Sequence, residues 1–289
     1  MAGRPRALID RTGRNDMPGS ELYETFMALH TRDGGLVMPN AWDGVSALVL
    51  AAAGFEAIGT SSAALAAALG RVDGRHSVTR DEHLDHARLL GRVTGLPVNG
   101  DFEDGYGRTA EDVAVTVHRA VANALAGIGI EDTTGNPDDP IRDFDDAVGR
   151  VRSAVGAAKR RIVVTARTDN FIQGRPDLDD TIRRLTAFAE VGADVLYAPF
   201  PPDLESLVAI VTAVAPTPVN VLISPADQVL TVSDLQKAGV KRISLGPALY
   251  THAMGALEQA AIALKAGDIA SATTGISFDR VSELLARKP

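Results

Sequence analysis

The feature that most constrains the fold is a short pattern that recurs along the chain. A helical segment ends in small residues and glycine, and a β-branched run follows at once, as in AAGFEAIGTSS, LAGIGIEDTT, EVGADVLYAPF and KAGVKRISLG. Glycine just after a helix adopts the left-handed conformation that ends it, and a short link to a buried strand is what an α-to-β connection requires. The pattern therefore indicates successive βα units.

Eight candidate strands are present, and helical patterns separate them. Strands are expected at 35–40, 55–60, 97–103, 128–132, 161–168, 195–200, 219–224 and 242–246. Helices are expected at 43–53, 79–94, 110–125, 141–157, 178–191, 203–215, 231–238 and 247–266, and several begin near a capping Ser, Thr or Asp. Strands that alternate with helices pair in parallel, so eight units predict a closed (β/α)₈ barrel, a TIM barrel of the α/β class.

The chain is expected to form a single domain with appended helices. Its 289 residues lie within the range that such barrels fill, and no linker rich in Pro, Gly or Ser divides them. Residues 1–18 are expected to form a loose arm, 20–30 an added N-terminal helix, and 267–289 a C-terminal helical extension.

Composition excludes several classes of function. A formal net charge of −8 without a basic stripe argues against a nucleic-acid partner, which requires clustered Lys and Arg. The absence of cysteine excludes thiolate metal sites and a cysteine nucleophile or acid. The longest apolar runs are far shorter than the ~20 residues of a membrane span, and the basic start has no apolar stretch typical of a signal peptide. A cytoplasmic protein without a membrane partner is therefore expected.

Polar side chains follow several predicted strands at the point where each strand ends. In a (β/α)₈ barrel these ends carry the active site. The candidates are Thr60, Ser61, Ser62 and Asp73 after the second strand, Asp101, Glu103 and Asp104 after the third, Glu131 and Asp132 after the fourth, and Arg167 with Asp169 after the fifth.

Carboxylates crowded at one barrel mouth repel one another unless a cation neutralises them. An all-oxygen set suits Mg²⁺, which takes one or two carboxylates directly together with waters and substrate oxygens. The predicted shell consists of Asp73, Asp101, Glu103 and Glu131. Strand alternation would place Asp101 and Glu103 on one face. The competing interpretation, that acidic residues cap the helices that follow, is preferred for Asp104, Asp132, Asp138 and Asp139.

Arg167 has two interpretations from its position alone. A guanidinium at a strand end beside a divalent cation is suited to bind a ligand carboxylate or phosphonate through two hydrogen bonds. A structural ion pair with Asp169 or with an acid of the metal shell is the alternative.

The motifs GTSS…LGRVDG, NGDFEDGYG, GIGIEDTTG and VVTARTD stand in this order at successive strand ends. Together they resemble the isocitrate lyase and phosphoenolpyruvate mutase superfamily over about 38–255. The resemblance implies a barrel whose eighth helix is exchanged between subunits of a homodimer, which commonly pairs into a homotetramer. It also implies Mg²⁺ (Mn²⁺ is possible), a small 2-oxo acid substrate, and the making or breaking of a C–C or P–C bond next to an enolate.

Site roles follow from the same resemblance. Asp101 would bind the metal directly, and Asp73, Glu103 and Glu131 would do so directly or through water. Ser61, Ser62 and Ala63 would bind the substrate carboxylate with hydroxyl and backbone N–H groups, and Arg167 would hold the same ligand. The further candidate substrate-binding residues are Thr60, Trp42 and Asn136.

The loop after the fourth strand departs from the superfamily pattern. Lyases of this type carry KKCGH or KRCGH there, and the phosphonate enzymes carry a lysine and an asparagine. This chain reads EDTTGNPDDP, with Asn136 but neither Cys nor Lys. The expected function is therefore Mg-dependent C–C cleavage of a small 2-oxo or 2-hydroxy dicarboxylate through a metal-stabilised enolate, as in an oxaloacetate decarboxylase or another lyase. P–C bond chemistry and non-catalytic 2-oxo-acid binding are the alternatives.

Decarboxylation requires an acid that protonates the enolate. The candidates are a metal-bound water, Tyr106 and His252, although His252 could equally be an ordinary residue of the exchanged helix. Trp42, after the first strand, is expected either to wall the pocket or to pack in the core. His83 and His86 are expected on a solvated helix surface.

Overall fold

The computed structural model describes residues 19–74, 76–222 and 230–287, and over this part eight parallel strands form one sheet. The strands are β1 Leu36–Met38, β2 Ile58–Gly59, β3 Val98–Asp101, β4 Gly127–Glu131, β5 Val163–Arg167, β6 Val195–Tyr197, β7 Val219–Val221 and β8 Arg242–Ser244. From β2 to β8 each strand pairs with the next one along the chain, and β1 pairs with β8. An isolated parallel bridge between Asn40 and Gly59 joins the β1 and β2 sides. The predicted (β/α)₈ barrel is confirmed.

Helices surround the sheet, and the predicted ones are present, most of them with slightly shorter bounds. They are α1 Gly19–Thr31, α2 Gly44–Ala52, α3 Ser62–Ala68, α4 Arg80–Thr94, α5 Ala110–Ala122, α6 Phe144–Ala158, α7 Leu178–Glu190, α8 Leu204–Ala213, α9 Val232–Lys237, α10 Ala248–Lys265, α11 Ile269–Ala272 and α12 Phe278–Ala286. No helix was predicted over the short, alanine-rich α3. The predicted arm at 1–18 lies outside the described residues, as do the last two residues of the strand predicted at 219–224.

The helices begin where the sequence supplies caps. Thr79 and Glu82 form a capping box at the start of α4, and Thr109 and Asp112 form another at the start of α5. Gly95 ends α4 with a left-handed φ of 69°. Because these local signals fix both ends of α4, the loops of β2 and β3 are brought to the same end of the barrel.

The third strand ends earlier than predicted. β3 stops at Asp101, and Glu103 has a left-handed φ of 47°, which extended backbone does not adopt. The expectation that strand alternation places Asp101 and Glu103 on one face is therefore wrong. Glu103 instead reaches the barrel mouth from a turn, where its carbonyl accepts a hydrogen bond from the Glu131 amide at 2.9 Å.

The expectation that His83 and His86 lie on a solvated surface is also wrong. Their exposed fractions are 1% and 9%. Both lie on the inner face of α4 at helical spacing with the buried residue Leu90, so they fall on its core stripe. The His83 ring packs against the rings of Phe102 and Tyr106, with centroids 5.7 and 5.6 Å away.

The C-terminal helices lie apart from this core. α10 has no buried residue, and its exposed side chains include Leu257 and Ile262. α12 packs against α2 and buries Leu284. Within the described ranges, no helix is long and apolar enough to cross a membrane.

Candidate active site

Loops that follow β2 to β5 surround a cavity of about 750 Å³ at the carboxyl end of the barrel. Its walls carry the side chains of Asp73, Glu103, Glu131 and Arg167. A second cavity of about 170 Å³ extends into the barrel, and its lining includes Thr60, Ser61, Ser62, Ala63, Asp101 and Arg167. Because Arg167, Ser62 and Asp73 border both cavities, they mark the place where the two meet.

Arg167 pairs with carboxylates from several strands. Its Nη1 lies 2.6 Å from Oε1 of Glu131 and 4.0 Å from Oδ1 of Asp101. Nε also donates to Asp169, and Nη2 donates to the same carboxylate at 2.9 Å. The guanidinium lies over the Tyr197 ring, 5.2 Å from its centroid. The ion pairs of the alternative interpretation are therefore present, and Arg167 also borders the cavity in which a ligand would bind.

The pKa values of the carboxylates at this end of the barrel are shifted from their ordinary values. Burial and the charge of Asp101 raise the pKa of Asp73. Burial raises the pKa of Glu103, and it raises that of Glu131 well above its ordinary value despite the neighbouring Arg167. Burial opposes the charge of Arg167, but Asp169 and Glu131 outweigh it and raise the Arg167 pKa. The Arg167 guanidinium therefore does not fully offset the cost of burying these carboxylates.

The serine segment after β2 orients the acids. The Ser62 amide donates to Oδ2 of Asp101 at 2.9 Å, and the Asp101 amide donates to the Thr60 hydroxyl at 2.7 Å. The Ser62 hydroxyl lies 3.5 Å from Oδ2 of Asp73, whereas the Ser61 hydroxyl caps α3. Asp101 is thus fixed in place by the backbone on which the substrate carboxylate was expected to bind.

The donor set suits a hard divalent cation. Asp73, Asp101, Glu103 and Glu131 offer oxygen alone, and Mg²⁺ characteristically takes one or two direct carboxylates with several waters. In the described part of the chain, no three His, Asp or Glu side chains are gathered closely enough to hold one ion between them. The arrangement therefore fits an ion that one or two of these acids contact directly and the others contact through water.

Tyr106 and His252, two predicted proton donors, are not among the described residues that line the larger cavity. Tyr106 is buried, and its hydroxyl oxygen lies 2.9 Å from the Val78 carbonyl and 3.1 Å from Oε1 of Glu103, so its one proton is shared between these two acceptors. Burial and the charge of Glu103 raise the Tyr106 pKa. His252 is exposed on α10. Within one chain, Tyr106 therefore holds Glu103, and His252 lies outside the site.

Of the two remaining predicted site residues, Asn136 borders the larger cavity and Trp42 does not. Asn136 is exposed and borders the larger cavity from the loop after β4. Trp42 is partly buried, and its ring meets that of Tyr250 of α10 edge to face, with centroids 5.6 Å apart. Trp42 therefore packs between the barrel and α10.

Asp104 is not a helix cap, contrary to the interpretation preferred from the sequence. Its side chain is buried and accepts from Nη2 of Arg142 at 2.7 Å and from Nη2 of Arg150 at 3.3 Å. Its other oxygen lies 2.7 Å from Nε2 of His76. These partners lower the Asp104 pKa against the opposing effect of burial. Asp104 therefore links the β3 turn to α6.

The capping interpretation is wrong for the other three acids as well. Asp132 is buried and accepts from the Thr168 hydroxyl at 2.7 Å and from the Asp169 amide at 2.9 Å. Asp138 and Asp139 are exposed, and α6 begins after Asp143 instead. Asp132 thus links neighbouring loops, whereas Asp138 and Asp139 do not cap α6.

His76, which was not predicted as a site residue, borders the larger cavity together with Asp104. Its ring is held by Asp104 and packs against Tyr106, with centroids 4.7 Å apart, and its amide donates to Glu103 at 3.2 Å. Asp104 raises the His76 pKa despite partial burial. The available signal was its place three residues after Asp73 in the same loop.

Comparisons with known proteins agree with this geometry. Residues 26–265 match the phosphoenolpyruvate phosphomutase family. The chain is 30% identical to an oxaloacetate decarboxylase of Paraburkholderia xenovorans, over 82% of this chain and 80% of the relative. It is 33% identical to a 2-methylisocitrate lyase of Escherichia coli, over 60% of each. The solved structure of an oxaloacetate acetylhydrolase with its product oxalate superposes with a TM-score of 0.82 at 26% identity, over 93% of this chain and 95% of that one. The chain therefore belongs to the phosphoenolpyruvate phosphomutase family of the PEP mutase/isocitrate lyase superfamily.

Proposed function

We propose that this protein is a Mg²⁺-dependent lyase that cleaves a C–C bond of a small 2-oxo or 2-hydroxy dicarboxylate, with oxaloacetate decarboxylation as the leading form. The observation that carries the proposal is the ring of carboxylates around Arg167, where Glu131 and Asp169 both contact the guanidinium. Such a mouth binds a cation and a carboxylate side by side.

The metal would be held by Asp101, with Asp73, Glu103 and Glu131 acting directly or through water. When bound, Mg²⁺ or Mn²⁺ would supply positive charge next to the 2-oxo oxygen and so favour the enolate. Ser62 and Thr60 keep the Asp101 carboxylate and backbone in place for this role. Tyr106 and His76 do the same for Glu103.

Arg167 orients the substrate. Its fork already spans Glu131 and Asp169, so a ligand carboxylate would meet a guanidinium whose direction is fixed. Burial of this side chain to 14% exposure keeps water from most of its surface, which strengthens its hydrogen bonds to a ligand.

Proton delivery is assigned to His76 in this proposal. Its Nε2 is held by Asp104, so Nδ1 is the ring nitrogen that this partner leaves available. Asp104 is itself fixed by Arg142 and Arg150, which gives the ring a defined orientation. A protonated imidazole at the cavity wall could return a proton to the enolate carbon.

The loop after β4 favours decarboxylation or aldol-type cleavage over P–C chemistry. Thr133, Thr134 and Asn136 of this loop border the larger cavity, and 133–158 contains no lysine that could neutralise a transferring phosphoryl group. Decarboxylation of a 2-oxo acid requires neither a lysine nor a thiol at this place. The related oxaloacetate decarboxylase and acetylhydrolase support the same substrate class.

The oligomeric state is part of the proposal. α10 exposes Leu257 and Ile262 and buries none of its own residues, so a second copy of the chain is proposed to cover it by helix exchange in a homodimer or homotetramer.

A substrate screen tests the proposed reaction. The purified protein is incubated with oxaloacetate, 2-methylisocitrate and phosphonopyruvate, with Mg²⁺ or with EDTA. Carboxylate products are followed by chromatography and phosphorus products by NMR, with Asp101→Asn as the control. Release of pyruvate from oxaloacetate that requires Mg²⁺ is expected. Conversion of phosphonopyruvate alone, or calorimetric binding of oxaloacetate without any product, would overturn the proposal.

A further inference from the structure

Arg184 of α7 is a buried guanidinium that reaches the loop after β4 from outside the two cavities. It is 4% exposed and is not among the described residues that line either cavity. Nη1 lies 3.3 Å from Oδ2 of Asp132 and donates to the Arg142 carbonyl at 3.0 Å. Nε donates to Oδ2 of Asp180, four residues earlier on the same helix, at 2.7 Å. Arg184 therefore joins α7 to both ends of the loop between β4 and α6.

One route of contacts leads from Arg184 to Arg167. The Asp132 carboxylate that Arg184 holds also accepts from the Thr168 hydroxyl at 2.7 Å and from the Asp169 amide at 2.9 Å. The Asp169 carboxylate in turn accepts from Nη2 of Arg167 at 2.9 Å. Asp132, Thr168 and Asp169 are at most 2% exposed, so water does not compete for the hydrogen bonds between them. Arg184 thus supports the carboxylate that directs Arg167.

A second route leads from Arg184 to His76. The Arg142 carbonyl accepts from Arg184, and the Arg142 amide donates to the Asp132 carbonyl at 2.8 Å, so the backbone of Arg142 is held on both sides. Nη2 of Arg142 donates to Asp104 at 2.7 Å, and the other oxygen of Asp104 lies 2.7 Å from Nε2 of His76. The same guanidinium therefore supports the residue that fixes Asp104 beside the His76 ring.

We infer that Arg184 is a positioning residue that holds Arg167 and His76 in their working geometry. The inference rests on the roles proposed above for these two residues. Loss of Arg184 would leave the buried Asp132 carboxylate without its cation, which is strongly disfavoured, so the loops after β4 and β5 would shift. A displacement of about 1 Å in a group that orients a substrate can cost about 100-fold in rate.

Oxalate binding tests the route to Arg167 without requiring turnover. The dissociation constant of oxalate, measured by calorimetry with Mn²⁺, should rise at least about tenfold in Arg184→Gln, because loss of partners that orient a ligand costs 10–100-fold. Arg184→Lys keeps the charge without the planar fork and should recover part of this loss. Arg183→Gln is the matched control, since Arg183 is the exposed neighbour that also pairs with Asp180, and it should retain wild-type affinity.

A double variant separates this role from general destabilisation. If Arg184 acts through Asp132, then Asp132→Asn together with Arg184→Gln should weaken oxalate binding no more than the more damaging single variant does. Independent effects would instead add in free energy. Additive losses, or wild-type oxalate affinity in Arg184→Gln, would overturn the inference and leave the proposed reaction untouched.

Turnover tests the route to His76. With saturating substrate from the screen, kcat of Arg184→Gln should fall about tenfold in addition to the loss of affinity, and an unchanged kcat would overturn this route. A wild-type protein that binds oxalate but converts no substrate would contradict the proposed reaction, and the oxalate comparison would still decide whether Arg184 positions Arg167. Absence of oxalate binding by the wild-type protein would overturn both.

Thr168→Val provides the answer if Arg184→Gln does not fold. It removes one buried hydrogen bond to Asp132 and changes the side-chain volume little. Oxalate binding should weaken about threefold, within the range expected for a single hydrogen bond. Unchanged oxalate affinity in Thr168→Val would then overturn the inference.

Discussion

Nη1 of Arg167 lies 2.6 Å from Oε1 of Glu131, and the two residues are register partners at the carboxyl ends of β5 and β4. This pair joins adjacent strands at the point where the two cavities meet. The Arg167 guanidinium also contacts Asp169, so partners at the carboxyl ends of β5 and β4 set its direction.

Arg167→Lys should lower kcat/KM by about 100-fold or more. Lysine keeps the charge but lacks the planar fork that can hold Glu131, Asp169 and a ligand carboxylate together. Steady-state kinetics with the substrate from the screen measures the effect, and circular dichroism confirms the fold. Arg175→Lys, at an exposed position, should leave kcat/KM unchanged. Wild-type kinetics in Arg167→Lys would contradict a ligand-binding role.

Asp101→Asn should weaken divalent-metal binding by more than about 100-fold, because loss of partners that only orient a ligand already costs 10–100-fold. Titration with Mn²⁺, followed by electron paramagnetic resonance, reports binding without requiring turnover. Asp138→Asn, in the exposed part of the β4 loop, is the matched control and should bind normally. Equal Mn²⁺ affinity in both variants would remove Asp101 from the metal site.

His76→Gln should lower kcat by about 100-fold with little change in KM, since a positioned general acid typically contributes 10²–10⁴-fold. Binding of oxalate, measured by calorimetry, should be retained, which separates proton delivery from ligand binding. His252→Gln is the competing variant. A larger loss of kcat in His252→Gln than in His76→Gln would favour a donor from α10 of a second chain.

The barrel could be predicted because its determinants are local. Each α-to-β link carries its glycine and β-branched run in adjacent residues, and Gly95 shows the expected left-handed C-cap. α3 was missed because Ser62–Ala68 is almost uniformly small and apolar, so it has no helical alternation to detect. His83 and His86 were misplaced because polar residue types occupied positions on the core stripe of α4.

The strand ends that carry the site could be predicted from the sequence. The contacts that its side chains make with one another could not. Asp104 was interpreted as a cap because its partners Arg142 and Arg150 lie 38 and 46 residues further along the chain. Glu103 was assigned to a strand because a left-handed backbone at a non-glycine residue has no clear sequence signal. The role of His76 depends on the same turn, which brings Asp104 to its ring.

Leu257→Asp with Ile262→Asp should convert the oligomer to a monomer. Both side chains are exposed on α10, at 61% and 59%, so charge there costs little within one chain but a great deal in an apolar interface. Light scattering coupled to size exclusion measures the mass. Glu258→Gln removes a charge from an exposed position of the same helix and should leave the mass unchanged. A wild-type protein that is monomeric at micromolar concentration would contradict helix exchange.

Stability should fall in mild acid partly through His30. Burial and the Arg242 charge lower its folded pKa to about 3, below the ordinary 6.5, so between these values the unfolded chain binds more protons than the folded one. The His30 contribution is therefore complete above about pH 6.5 and decreases as the pH falls through this window, with a slope of up to about 1.4 kcal/mol per pH unit.

Urea unfolding of the wild-type protein and His30→Gln at pH 7, 6, 5 and 4 measures this contribution of His30 to stability. The free energy of unfolding should depend less on pH in His30→Gln, because glutamine does not titrate. His118→Gln, on the exposed face of α5, should keep the wild-type slope. Parallel curves for the wild-type protein and His30→Gln would show that His30 is not held neutral under Arg242.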